Sequence, residues 1–206
     1  MHDERKAHWE KVYREKAEDE VSWFIADPET SLSLVESTGL SRADPIIDVG
    51  GGASHLVDHL LARGYSDLTV LDISPTALET ARRRLGADAD KVRWLEADVC
   101  ALEGDGRWRL WHDRAVFHFL VKAEDRRAYL DSLARHLDPD GHVIVATFSF
   151  EGPSECSGLP VEQYDADKLL ATFGPGFELR NLLEEIHVTP AGKEQAFNYF
   201  HLRRQA

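Results

Sequence analysis

Between residues 45 and 148 short apolar runs alternate with amphipathic ones, and this alternation narrows the fold more than any other feature. Pro45-Ile46-Ile47-Asp48-Val49 reads as a strand and Ser54 to Arg63 as a helix. Asp67 to Leu71 reads as a second strand, followed by a helix over Pro75 to Leu85 that opens on proline, a residue suited to the first helical turn. Val92 to Leu95 and Arg109 to His112 supply two more strands, Asp125 to Leu137 a helix that stops before Pro139, and Gly141 to Phe148 a strongly apolar fifth strand. Strands alternating with helices imply βαβ units, hence a parallel sheet with helices on both faces. Further on, after a helix near 165–173, strand-like runs at Phe177 to Val188 and Gln195 to Arg203 are separated only by residues 189–193. So short a connection joins antiparallel neighbours and cannot make a parallel crossover. The expected class is α/β, doubly wound and mostly parallel, ending in an antiparallel hairpin. Amphipathic stretches at 4–18 and 29–38 precede it; residues 1–40 are expected to form a helical cap over residues 41–206, all in one domain.

Composition excludes several functions. With 37 acidic against 24 basic residues the net charge is −13, which argues against a nucleic-acid partner, since phosphates need a basic face. The densest basic run, Arg82-Arg83-Arg84, reads as a solvated helix face. Two cysteines, Cys100 and Cys156, make no disulfide framework. The first residues are charged and lack the apolar stretch of a signal peptide, and no apolar run approaches the ~18 residues of a membrane span. A cytoplasmic protein with no membrane partner is expected.

The sharpest local pattern is Asp48-Val49-Gly50-Gly51-Gly52-Ala53-Ser54, placed directly after the first strand and opening a helix. Glycines let the chain turn tightly and let a ligand reach the backbone where a Cβ would collide. A dinucleotide fingerprint starting at Gly50 calls for glycine or alanine at 55, where His55 stands, and a P-loop would need a GK[ST] sequence that is absent. Asp72 ends the second strand and Asp98 the third. An ionised carboxyl has two acceptor oxygens and no donor, so Asp72 suits a ribose diol and Asp98 an adenine amino group. Each acid taken alone serves equally well as a helix cap or turn former.

Ile47-Asp48-Val49-Gly50-Gly51-Gly52 resembles the first motif of class I S-adenosylmethionine-dependent methyltransferases, (D/E)xGxGxG, with Ser54 in place of its third glycine. The resemblance covers about residues 44 to 150 and implies the family's seven-stranded sheet. It also implies S-adenosyl-L-methionine contacts from Asp48, Gly50, Gly51, Gly52, Ser54, Asp72, Ile73, Asp98, Val99 and Asp113. Ser54 is also placed to cap the following helix.

Ligands of open α/β sheets bind beyond the carboxyl ends of the strands, so His112, Asp113, Arg114 and His118 at the end of the fourth strand are candidates for the substrate side. His118 or Asp113 is the candidate base, although a core histidine and an Asp113–Arg114 ion pair are open alternatives. Tyr13, Trp23 and Phe24 supply aromatics ahead of the first strand. The Pro- and Gly-bounded loop after the fifth strand carries Cys156, which is either a participating thiol or inert lining. Trp23, His118 and Cys156 are expected to converge as a roof. His55 and His59, one helical turn apart, are read as solvent-facing, and no metal site is expected.

The segments EVSWF, WHDRAVFHF and CSGLP make the chain similar to a group of small bacterial methyltransferases. That group is distantly similar to tellurite, thiol and protein-lysine methyltransferases. The resemblance implies methyl transfer by in-line displacement to a small-molecule nucleophile, for which a thiol or other chalcogen is the first candidate. The alternatives are a protein-lysine methyltransferase and a non-catalytic cofactor-binding protein.

Overall fold

The computed structural model describes residues 2–205. Its main sheet comprises β1 (Ile46–Val49), β2 (Leu68–Asp72), β3 (Val92–Glu96), β4 (Trp108–Arg114), β5 (Leu137–Phe148), β6 (Phe177–Val188) and β7 (Glu194–Arg204). The spatial order is β3-β2-β1-β4-β5-β7-β6. The first five strands pair in parallel, and β7 runs antiparallel between β5 and β6. From β1 the chain winds outward through β2 and β3, then returns to the other side of β1 as β4. The crevice at the carboxyl ends of β1 and β4 is therefore the switch point where such sheets bind ligands.

Alternate residues of β1 face opposite layers. Ile46 joins one core cluster with Leu68, Val70, Leu110 and Ile144, against Leu56, Val57 and Leu60 of α3 (Leu56–Ala62). Ile47 and Val49 join the other with Trp111, Val143 and Val145, against Tyr129 and Leu133 of α5 (Ala123–His136). Burial of each such side chain contributes ~1.5–3 kcal/mol, so a one-residue slip of β1 would put the wrong set on each face. The remaining helices are α1 (His2–Glu15), α2 (Glu29–Ser37), α4 (Pro75–Leu85) and α6 (Ala166–Phe173). The Ser74 hydroxyl caps α4 by accepting from the Ala77 amide, and Asp165 caps α6 at the Lys168 amide.

Three details differ from the sequence expectation. The strand β5 starts at Leu137, straight out of α5, and not at Gly141; its register against β4 shifts between Trp108 and Leu110. Pro139 has no N–H to give the ladder, and Asp140 turns at φ 59°, so the strand bulges there. The loop after β5 contains a small hairpin, Glu155–Cys156 with Leu159–Pro160, closed by Ser157 and Gly158 at φ 52° and 73° as a tight two-residue turn requires. Finally, α2 belongs to the core and not to a cap, because Leu32, Leu34 and Val35 are buried in the α3-side cluster. The part of residues 1–40 that covers the carboxyl ends of the strands is α1 with the segment after it.

Among the described residues no helix is long and apolar enough to cross a membrane.

Candidate active site

The carboxyl ends of β1 to β5 open into a cavity holding about 850 Å³ of empty space, its mouth included. Its floor is Val49, Gly50, Leu71, Asp72, Ile73, Ala97, Asp98 and Val99; Arg5, Trp9 and Tyr13 of α1 and then Trp23 lie over it. Arg114 to Val116, Phe119, Phe148, Cys156 and Phe197 close the far end. A second cavity shares Tyr13, Trp23, Val49, Gly50 and Arg114 with the first and extends past Asp48, Gly51, Ser54, His55 and His112.

The glycine loop is shaped by the two acids beneath it. Gly50 turns at φ 68°, and a Cβ there would stand 2.1 Å from Val116 Cγ2. A Cβ on Gly51 would meet the Asp48 carboxylate at 2.3 Å, and one on Gly52 the Asp72 carboxylate at 2.4 Å. These contacts are too close for any side chain, so the glycines are required by local packing as well as by a ligand. The Ser54 hydroxyl accepts from the Leu56 amide at the start of α3, whose N-cap position is His55 and carries no side-chain capping bond.

Asp48 is tied on one side only. His112 Nδ1 lies 2.7 Å from its Oδ1, His112 Nε2 lies 2.9 Å from Ser31 Oγ, and Asp48 Oδ2 is buried without a hydrogen-bond partner. An orphaned buried carboxylate oxygen is an acceptor prepared for a cationic or N–H group. Asp72 accepts from the Ser74 amide at 2.8 Å, and burial pushes its carboxyl up to about 7, partly offset by the backbone amides of Ser74 and Gly52. Asp98 accepts from the Cys100 amide at 2.9 Å and pairs with Arg5 Nη2 at 2.9 Å. These acceptors, on β1, at the end of β2 and just past β3, fit the amino-acid end, the ribose and the base of an adenosyl amino-acid cofactor respectively.

Residues 46–141 match the family model for a methyltransferase domain. Over these residues, a little under half of the chain, it is similar to the class I S-adenosylmethionine-dependent methyltransferases.

Among the proteins similar to this chain is the ubiquinone biosynthesis O-methyltransferase of Rickettsia conorii, 23% identical over 128 residues and covering 62% of this chain and 43% of that protein. Another is the malonyl-[acyl-carrier protein] O-methyltransferase of Anoxybacillus flavithermus, 29% identical, with 73% and 57% covered. The chain thus spans about half the length of the curated relatives it matches. The same fold occurs in a solved structure concerned with conversion of a disulfide bond into a thioacetal group during echinomycin biosynthesis: TM-score 0.80, 22% identity, 98% of this chain and 93% of that one. It recurs in the 1,6-didemethyltoxoflavin-N1-methyltransferase of Burkholderia thailandensis, with TM-score 0.74, 18% identity and 100% and 91% covered.

Of the residues singled out on the substrate side, Tyr13, Trp23, Arg114 and Cys156 line the main cavity, and Phe24 lines the second with His55. Two do not. His118 lies behind the wall, with no exposure, its ring 4.7 Å from that of Phe148, both nitrogens without partners and its imidazole pushed down to about 3 by burial. It is a neutral core histidine, neither a base nor a roof residue, because the short turn Phe117–Phe119 aims Phe119 at the cavity and buries Phe117 and His118. We expect His118→Leu to keep cofactor affinity and to cost less than about 1 kcal/mol, since it removes a buried group whose hydrogen bonds are already unmade. A melting curve and a cofactor titration check this; a large loss of affinity in folded protein would return His118 to the site.

Asp113 is likewise buried outside both cavities, with both oxygens engaged and no bond to Arg114: Oδ1 accepts from the Val116 and Phe117 amides and Oδ2 from the Tyr129 hydroxyl at 2.8 Å. Burial raises its carboxyl to about 6. Its task is to hold the turn in which Ala115 sits at φ 68°, a strained backbone angle that places Arg114 and Val116 on the cavity wall. Asp113 is therefore a structural clamp, not a base or cofactor contact. Gly52 lines neither cavity and only makes room for Asp72.

His55 and His59 are half-buried and not solvent-facing: His55 meets Phe24 edge-on at 5.4 Å, and His59 Nε2 lies 3.0 Å from the Ala26 carbonyl. Arg84 also departs from its expected solvated role. It donates to Asp58 twice, to Glu18 and to the Ala53 and Ser54 carbonyls, and so clamps the end of the glycine loop. Arg82 lies over the Trp94 ring but stays exposed, as Arg83 does.

Proposed function

We propose that this protein transfers a methyl group from S-adenosyl-L-methionine to a small-molecule nucleophile, with sulfur the first candidate for the accepting atom. One observation carries the reading: a single cavity runs from the buried acids Asp72 and Asp98 to an apolar chamber of Phe148, Cys156 and Phe197 under Trp9, Tyr13 and Trp23. In it Asp72 would accept from the ribose and Asp98 from the adenine, while Asp48 Oδ2, on the adjoining cavity, would accept from the ammonium of the methionine moiety. The cofactor supplies an activated sulfonium methyl. The chain's own part is to align the nucleophile in line and to exclude water, effects of ~7–11 kcal/mol when the geometry is right. The T-shaped stack of Trp9 on Trp23 at 5.6 Å and on Phe119 at 4.9 Å supports that exclusion.

A thiol acceptor is favoured because the chamber offers little help in removing a proton. Cys156 is pushed up by burial and Tyr13 likewise, and His112 is held between Asp48 and Ser31. A thiol ionises near neutral pH without assistance. The two free cysteines also suit the reducing cytoplasm that we infer for it.

The test is a screen with methyl-labelled cofactor against thiols, phenols, amines and a cell-protein fraction. Label in a small thiol is the expected result. Label in protein supports the lysine alternative, and none at all the non-catalytic one. Cys156→Ser is expected to keep turnover within about threefold, the effect of a lining change worth less than ~1 kcal/mol. A loss of several hundredfold with cofactor affinity intact would make the thiol a participant.

A further inference from the structure

The guanidinium of Arg114 is fastened on two sides and has no partner on the third. Its Nε donates to the Tyr199 hydroxyl at 2.7 Å and its Nη1 to the Trp23 carbonyl at 3.0 Å. The plane lies 4.6 Å over the Phe197 ring. Nη2 is buried and has no hydrogen-bond partner, although Arg114 lines both cavities. Glu185 is one hydroxyl further away, 3.1 Å from Tyr199 Oη, so the charge is compensated through a relay and not by direct pairing. A buried donor of a permanently charged group, held rigidly at a cavity wall with an unused N–H, is prepared for an anion.

Position in the sheet says which molecule brings that anion. Arg114 ends β4, and its partners Tyr199 and Phe197 stand on β7, toward the chamber that Phe148 of β5 and Cys156 also line. Asp72 ends β2 and Asp98 stands two residues beyond the end of β3, on the opposite side of the switch point. Within the chamber Arg114 is the charged group, and no free carboxylate or imidazole accompanies it among the described residues lining that end.

We propose that the methyl acceptor is an organic anion with an aromatic or apolar body, whose ionised group pairs with Arg114 Nη2 and is itself the attacking nucleophile. This rests on the methyl-transfer reading above and names its substrate class. The balance closes without a base: the acceptor's lone pair forms the bond to the methyl carbon, and the methyl–sulfur bond breaks with its electron pair going to the sulfonium, which becomes a neutral thioether. Anion and cation are both neutralised and no proton moves. The methylated product has lost the charge that Arg114 recognised, which favours its release.

The experiment uses the full chain saturated with S-adenosylhomocysteine, titrated with benzoate against benzamide and thiophenolate against thioanisole. Binding of the homocysteine cofactor is measured first; its failure would count against the methyl-transfer reading itself. Given that binding, we expect each anion to bind at least about tenfold more tightly than its neutral partner, the effect of one charge-assisted hydrogen bond. Arg114→Gln should abolish the preference while holding cofactor affinity within about threefold, and Arg114→Lys should restore part of it. Equal binding of anion and neutral probe, no binding of either anion, or a preference that survives in Arg114→Gln overturns the proposal. So does a loss of cofactor affinity in both variants, which would assign the guanidinium to the cofactor's own carboxylate or to the fold.

Discussion

Asp72→Ala should weaken S-adenosylhomocysteine binding by about 1.5–3 kcal/mol, roughly ten- to a hundredfold, because two hydroxyls would lose a buried charged acceptor. The carboxylate stands under the glycine loop with one oxygen on the Ser74 amide, and a Cβ on Gly52 would strike it, so nothing else can reach that place. The effect carries a pH signature. Burial raises this carboxyl to about 7 from an ordinary value near 4. It accepts from a diol only when ionised, so affinity should climb as pH rises through about 7, and Asp72→Asn should flatten that climb. Stability of the cofactor-free protein should move oppositely. A raised carboxyl binds more protons folded than unfolded, so its contribution is full below about 4 and is lost as pH rises toward 7. Asp113, raised to about 6, adds to the same trend. Calorimetric titrations and melting curves between pH 5 and 8 measure both; affinity independent of pH and of Asp72 would make this residue a turn former only.

Arg84→Ala should be the most destabilising surface-accessible substitution. Its side chain is only 18% exposed and gathers Asp58, Glu18 and two carbonyls of the glycine loop. Removal leaves two acids without their cation and frees the Ala53–Ser54 end of the loop, at about 3 kcal/mol, or a melting point lower by about 6–12 °C for a chain of this size. Cofactor affinity should fall with it, since the loop presents Gly50 and Asp48. Arg84→Lys, with no planar fork, should recover only part, whereas Arg83→Ala next door should stay within about 0.5 kcal/mol. Equal melting points for the Arg83 and Arg84 variants would show that the network contributes nothing measurable.

The parallel sheet and its hairpin were legible in the chain because both rest on short-range physics, the period of apolar residues and the length of a turn. Trp23 and Cys156 do line one cavity, as a crossing of the N-terminal segment over the face where the fifth strand ends would require, whereas the adjacency of the fourth and fifth strands did not bring His118 to it. The failures share a cause. Asp113 and His118 sit in the right loop, yet what each does depends on partners that the sequence does not show near them, Tyr129 for one and Phe148 for the other. Three consecutive arginines on one helix look alike until tertiary contacts decide which turns inward. Phe148 and Phe197, which close the chamber, become neighbours only through the antiparallel register of β5 and β7. The role of Arg5 depends on α1 docking across the strand ends, which the periodicity of α1 alone does not specify.

The most direct test of the central claim is a calorimetric titration of the purified chain with S-adenosylhomocysteine and, separately, with NAD. We expect S-adenosylhomocysteine to bind at one site in the micromolar range or tighter, displaced by S-adenosylmethionine, with no heat from NAD. Binding of NAD together with no response to either sulfur cofactor would contradict the assignment of the Gly50–Asp72–Asp98 cavity.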